Sequence, residues 1–168
     1  MRGTDDTNHK MSNETGSPRA KVFLVDDHAL VRKHLRALIE GEPDLEVCGE
    51  AADVPTALAR IQQGEPDLVI LDITLKGSSG LDLLDALKGR QPRPAVVVLS
   101  VHEEAFYVKR ALEAGALGYI TKEEATVEIL TAIRRVLRGQ PYVSHRMADP
   151  MAEQQRLVRR TVLQEARV

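Results

Sequence analysis

Among 168 residues there is one cysteine, no tryptophan, two phenylalanines and three tyrosines. A single thiol, Cys48, closes no intrachain disulfide and builds no cysteine-rich metal centre, and a reducing cytoplasm is the simplest setting for it. No apolar run approaches the roughly 18 residues that a membrane-crossing helix needs. The N-terminal residues also lack the apolar core of a secretory signal. A surplus of one charge is missing too, because a formal net charge of -2 does not mark a binder of nucleic acid or membrane. What remains is 43% hydrophobic and 29% charged, the composition of an ordinary globular domain. The length suits one domain with short extensions.

From Lys21 onward, short branched apolar runs alternate with helical stripes. VFLV (22–25), LEVCGEA (45–51), DLVILD (67–72), PAVVVLS (94–100) and ALGYIT (116–121) read as strands. Between and after them, Leu30/Val31, Leu35, Leu38 and Ile39 mark a first helix, and Leu58 and Ile61 mark a second. LDLLDALKG (81–89), EEAFYVKRALEAG (103–115) and EATVEILTAIRRVLRG (124–139) give three more. Continuously apolar strands alternating with helices predict a parallel α/β sheet covered on both faces. Residues 1–19 have nothing to bury and are expected to be a disordered leader, with Met11 an alternative start. The predicted domain spans 20–140, followed by a linker and helical tail over 141–168.

In open parallel sheets, ligands bind beyond the carboxyl ends of the strands. The polar residues there are Asp26 and Asp27 after the first strand, Asp72 at the third, Ser100 at the fourth and Lys122 past the fifth. Three gathered carboxylates repel unless a counter-charge intervenes. A hard divalent cation such as Mg2+ supplies it, taking one or two carboxylates with waters and phosphate oxygens. A carboxylate can also be a nucleophile toward phosphorus, with lysine and metal offsetting charge on the transferring group. Asp72, which stands alone at its strand end, is the expected nucleophile, and the Asp26–Asp27 pair suits the metal. The plainer alternative makes Asp26 and Asp27 a helix cap.

With VDDH (25–28), LDITLKGSSGLDLL (71–84), VVVLS (96–100) and GALGYITK (115–122) in order, residues 21–138 resemble the receiver domain of a bacterial two-component response regulator. The DDH triplet and GYITKEE resemble the NarL/FixJ (LuxR-type) branch. The resemblance implies a flavodoxin-like fold with helices on both faces of five parallel strands in the order 2-1-3-4-5, which is the known order of that fold. It implies Asp72 as phosphoacceptor, and Mg2+ ligated by Asp27, by Asp26 mostly through water, by Asp72 and by the backbone carbonyl of Thr74. Lys122 would pair with the phosphoryl group, Ser100 would hydrogen-bond it, and Tyr119 would turn inward with Ser100 as the switch. The implied partner is a sensor histidine kinase, and the implied role is phosphorelay signalling in transcription regulation, without turnover of a separate substrate.

Two departures stand out. Lys76 occupies a position that most receivers fill with proline, and residues 144–168 are too short for the helix-turn-helix of LuxR-type regulators. DNA binding through this chain alone is therefore not expected. In the tail, Asp149–Pro150 reads as a helix start, with Met151, Val158 and Val162 on one face and Arg156, Arg159, Arg160 and Arg167 elsewhere, fit for a dimerisation helix. His28 reads as structural, His102 and Thr74 as positions that tune phosphoryl lifetime, and Cys48 as a small core residue. Two other functions compete. A Mg2+-dependent aspartyl-phosphate phosphohydrolase would want an acid two residues after the nucleophile, where Thr74 stands, and a pseudo-receiver would act only as an interaction module.

Overall fold

The computed structural model describes residues 17–148. The chain runs β1 (Ala20–Val25), α1 (Ala29–Glu40), β2 (Leu45–Ala51), α2 (Val54–Gly64), β3 (Leu68–Asp72), then the short β4 (Thr74–Leu75) and β5 (Ser78–Ser79). It continues through α3 (Gly80–Lys88), β6 (Ala95–Ser100), α4 (Ala105–Glu113), β7 (Gly118–Thr121), α5 (Ala125–Leu137) and β8 (Tyr142–Val143). The main sheet has the order β2-β1-β3-β6-β7-β8, every pair parallel. Its first five members reproduce the expected 2-1-3-4-5 order. The fold is thus α/β and flavodoxin-like, with a sixth short strand that the sequence reading does not contain.

Successive side chains on a strand face opposite ways, so one apolar run feeds two cores. Phe23, Val25, Val69 and Leu71 pack under α2, α3 and α4. Val22, Leu24, Leu68 and Ile70 pack under α1 and α5. The helices start where the local chemistry favours it. Asp53 accepts the Thr56 amide at 2.8 Å ahead of Pro55 in α2, and Ser79 with Asp82 forms a capping box on α3. Cys48 is half-buried and left out of the β1–β2 pairing, where Val22 meets Val47 and Phe23 meets Gly49.

The structure corrects two details of the sequence reading. Leu30 was expected on the inner stripe of α1 but is 81% exposed; Leu35 and Ile39 carry the buried face. In α2, Leu58 is only half-buried, and Val54, Ala57 and Ile61 form the inner row. Packing also runs past residue 140. The Ser144 amide donates to the Tyr119 carbonyl at 2.9 Å, and the fully buried Met147 joins the same core as Tyr119. The expected leader up to residue 16 and the tail helix from Asp149 lie outside the described residues. No helix among the described residues is long and apolar enough to cross a membrane.

Candidate functional site

Strand register gathers the polar rim. Val25 pairs with Leu71, so Asp26 and Asp72 leave neighbouring strands side by side. Asp72 pairs with Leu99, the residue before Ser100, and Ser100 pairs with Thr121, the residue before Lys122. Four side chains from four strands therefore meet at one end of the sheet. Asp26, Asp72 and Ser100 are buried there. Lys122 is largely covered, with a side chain 18% exposed.

The Lys122 ammonium donates to Asp72 Oδ2 at 2.9 Å and stands 2.9 Å from Asp26 Oδ2. The second approach is an ion pair without hydrogen-bond alignment, so Asp26 Oδ2 keeps no hydrogen bond. Asp72 Oδ1 accepts the Thr74 amide at 2.9 Å. Burial pushes the Asp72 carboxyl above its usual range; Lys122 and the Thr74 amide oppose this, and the Asp26 charge adds to it. Burial alone would lower the Lys122 pKa, but its contacts with Asp72 and Asp26 outweigh that and raise it. One ammonium among three carboxylates leaves the rim short of positive charge.

That shortage is visible atom by atom. Asp26 Oδ2 and Asp27 Oδ1 are buried without hydrogen-bond partners. One ligand atom from each of Asp26, Asp27, His28 and Asp72 lies within 4.8 Å of the others. Neither carboxylate of the pair caps α1, whose N-cap is His28, with no side-chain capping bond. The capping alternative therefore does not describe them. Buried carboxylate oxygens without hydrogen-bond partners, at this spacing, fit a hard divalent cation.

Other contacts were not legible in the sequence. The Lys76 amide donates to Asp27 Oδ2 at 3.2 Å, a bond that proline could not make. Arg32 donates to the Asp26 carbonyl at 2.6 Å. A Cβ on Gly80 would stand 2.5 Å from the Asp72 carbonyl oxygen, so glycine lets α3 start against the Asp72 backbone. Ser100 Oγ accepts the His102 amide at 3.0 Å, and the Tyr119 hydroxyl donates to the His102 carbonyl at 2.9 Å. Tyr119 is fully buried and turned inward, and the His102 ring stacks on Tyr107 at 4.1 Å.

A family model described as response regulator receiver domain matches residues 22–134. The transcriptional regulatory protein MctR of Rhizobium johnstonii is 35% identical over 137 residues, 82% of this chain and 64% of MctR. Response regulator GacA of Pseudomonas aeruginosa is 37% identical over 132 residues, 79% of this chain and 62% of GacA. The chain thus spans a little under two thirds of the length of these relatives. A solved LuxR-family two-component response regulator from Aurantimonas sp. SI85-9A1 superposes with a TM-score of 0.78 at 34% identity, over 82% of this chain and 98% of that one. The isolated REC domain of RcsB from Salmonella enterica serovar Typhimurium shares the fold, with a TM-score of 0.73 at 19% identity over 79% of this chain and 99% of that one. Strand order, the register that assembles the rim and these matches agree: the chain belongs to the response regulator receiver family, with relatives of the LuxR/NarL type.

Proposed function

We propose that the domain accepts a phosphoryl group on Asp72 from the phosphohistidine of a sensor kinase. A carboxylate oxygen of Asp72 attacks phosphorus; the P–N bond breaks, and its electron pair stays with the imidazole nitrogen of the donor. The observation that carries this reading is the Lys122 ammonium 2.9 Å from both Asp72 and Asp26, at a rim where Asp26 Oδ2 and Asp27 Oδ1 are buried without a hydrogen bond. Lys122 offsets charge on the incoming phosphoryl oxygens in a partly dehydrated site, where such pairing is strongest. Mg2+, held by Asp26, Asp27, Asp72 and the Thr74 carbonyl, would supply the remaining positive charge and orient the donor. The Lys76 amide holds Asp27 in place, and the Thr74 amide fixes the Asp72 carboxylate plane.

The modification is read out at Ser100. Its oxygen already accepts from the His102 amide, so its proton is available to a phosphoryl oxygen. A shift of Ser100 toward Asp72 strains the His102 backbone that Tyr119 also holds, and α4 follows through Tyr107. Added charge at one residue thereby biases a two-state element. Thr74 has no acid or base to hydrolyse an acyl phosphate rapidly, which favours a signalling module over a phosphohydrolase. We place the domain in the cytoplasm, opposite a histidine kinase, upstream of transcription control, with a phosphorylation-dependent homodimer as one output.

The test is intact-mass measurement after incubation with Mg2+ and acetyl phosphate. One phosphoryl group is expected on the wild type and none on Asp72→Asn. No adduct on the wild type, or an adduct unchanged in the variant, sinks the proposal.

A further inference from the structure

We infer that His28 tunes the acidic site toward borderline divalent ions such as Co2+ over Mg2+, by offering its Nδ1 as a ligand beside Asp26 and Asp27. The inference rests on reading the rim as a cation site. His28 stands at the N-cap of α1 yet makes no side-chain capping bond. Its ring folds back over the acidic pair instead. Nδ1 lies 3.0 Å from Asp26 Oδ1 and 2.9 Å from Asp27 Oδ1. Ligand atoms at right angles around an ion, each about 2.1 Å from it, are separated by roughly 3.0 Å. The ring nitrogen therefore already stands at the spacing of a coordination edge from each of two carboxylate oxygens.

A hydrogen bond accounts for only part of this arrangement. Nδ1 has hydrogen-bond geometry toward Asp26 Oδ1, an oxygen that the His28 amide also reaches at 2.8 Å. Asp27 Oδ1 gains no hydrogen bond from the ring, although the Asp27 side chain is only 8% exposed. That oxygen, without a hydrogen bond, stands 2.9 Å from the ring nitrogen. Imidazole suits transition ions, whereas Mg2+ prefers oxygen ligands and keeps its waters. The outer face of the ring is open, with the side chain 60% exposed, so substitution there leaves both cores intact.

Calorimetric titration of the full chain with Mg2+ and, separately, Co2+ tests this, comparing wild type with His28→Ala. Wild type is expected to bind Co2+ at least tenfold tighter than Mg2+. His28→Ala should lose on the order of tenfold in Co2+ affinity while Mg2+ affinity stays within about twofold. The visible absorption of bound Co2+ should shift in the variant, and Mn2+ bound to wild type labelled with 15N-histidine should show nitrogen coupling in its electron spin echo. Equal loss for both ions, an unchanged Co2+ affinity, or a gain in Mg2+ affinity overturns the inference. The last outcome would make Nδ1–H a hydrogen-bond donor that the ion must displace. If wild type binds neither ion, the cation-site reading itself fails; if it binds Mg2+ and only the Co2+ difference is absent, the failure is that of His28 alone.

Discussion

A single ammonium, that of Lys122, faces Asp26 and Asp72 with Asp27 close behind, and the imbalance sets what substitutions do here. Asp27→Asn removes one of the repelling charges and keeps the shape. Without added cation it should stabilise the domain by about 1 kcal/mol, read as a shift in the urea midpoint at constant slope. Gly80→Ala acts in the opposite direction. Its new Cβ would meet the Asp72 carbonyl oxygen at 2.5 Å and the Ile73 Cα at 2.8 Å, both backbone atoms that cannot swing aside. A loss of about 1–3 kcal/mol is expected in the same urea experiment, together with weaker Mg2+ binding because Asp72 is displaced. Sequence shows that Asp27 and Gly80 exist, but their partners come from other elements.

At the scale of elements, the segment after α5 is bound more firmly than its composition suggests. Glu128, buried in the first turn of α5, accepts the Tyr142 hydroxyl at 2.9 Å and pairs with His145 Nδ1 at 2.6 Å. The hydrogen bond to Glu128 and its charge raise the His145 pKa above the ordinary imidazole range. Burial, with Glu128 adding to it, pushes the Tyr142 phenol up to about 12. Both raised values favour the protonated form in the fold. The His145 contribution is therefore present below its ordinary value of about 6.5 and fades as pH rises through the raised one. That of Tyr142 is present below about 10 and is lost as pH rises through its folded value. An NMR titration should find His145 titrating above the usual range, and Glu128→Gln should bring it back. Met147→Ala should cost about 2 kcal/mol or more, since this side chain is fully buried beside Tyr119. Polar residues such as Ser144, His145 and Arg146 hide this segment in a hydropathy pattern, whereas Val22–Val25 announces itself.

For the whole molecule, a cation that binds only the folded rim must stabilise the whole domain by mass action. Raising Mg2+ from zero to about 100 times its dissociation constant should add about 2.7 kcal/mol to the unfolding free energy of the wild type. Asp27→Asn should gain far less, although it starts from a higher value; a gain equal to that of the wild type would remove Asp27 from the ion's ligands. The two cores are continuous from β2 to β7, so stability added at the rim spreads across the sheet.

The sequence by itself determined the alternation of strands and helices, the two-sided burial of the sheet, and the types of residue at the strand ends. Those properties follow from local periodicity and from the rule that places ligands at the carboxyl ends of parallel strands. Only the tertiary structure decided which atoms meet. The Lys122 ammonium reaches Asp72 and Asp26 across 50 residues in one case because β3, β6 and β7 pair in a particular register. Leu30 faces outward, Met147 faces inward, and the His28 ring turns back on the acidic pair. Each of these depends on where another element packs, and a linear pattern of apolar and polar residues does not encode such long-range placement.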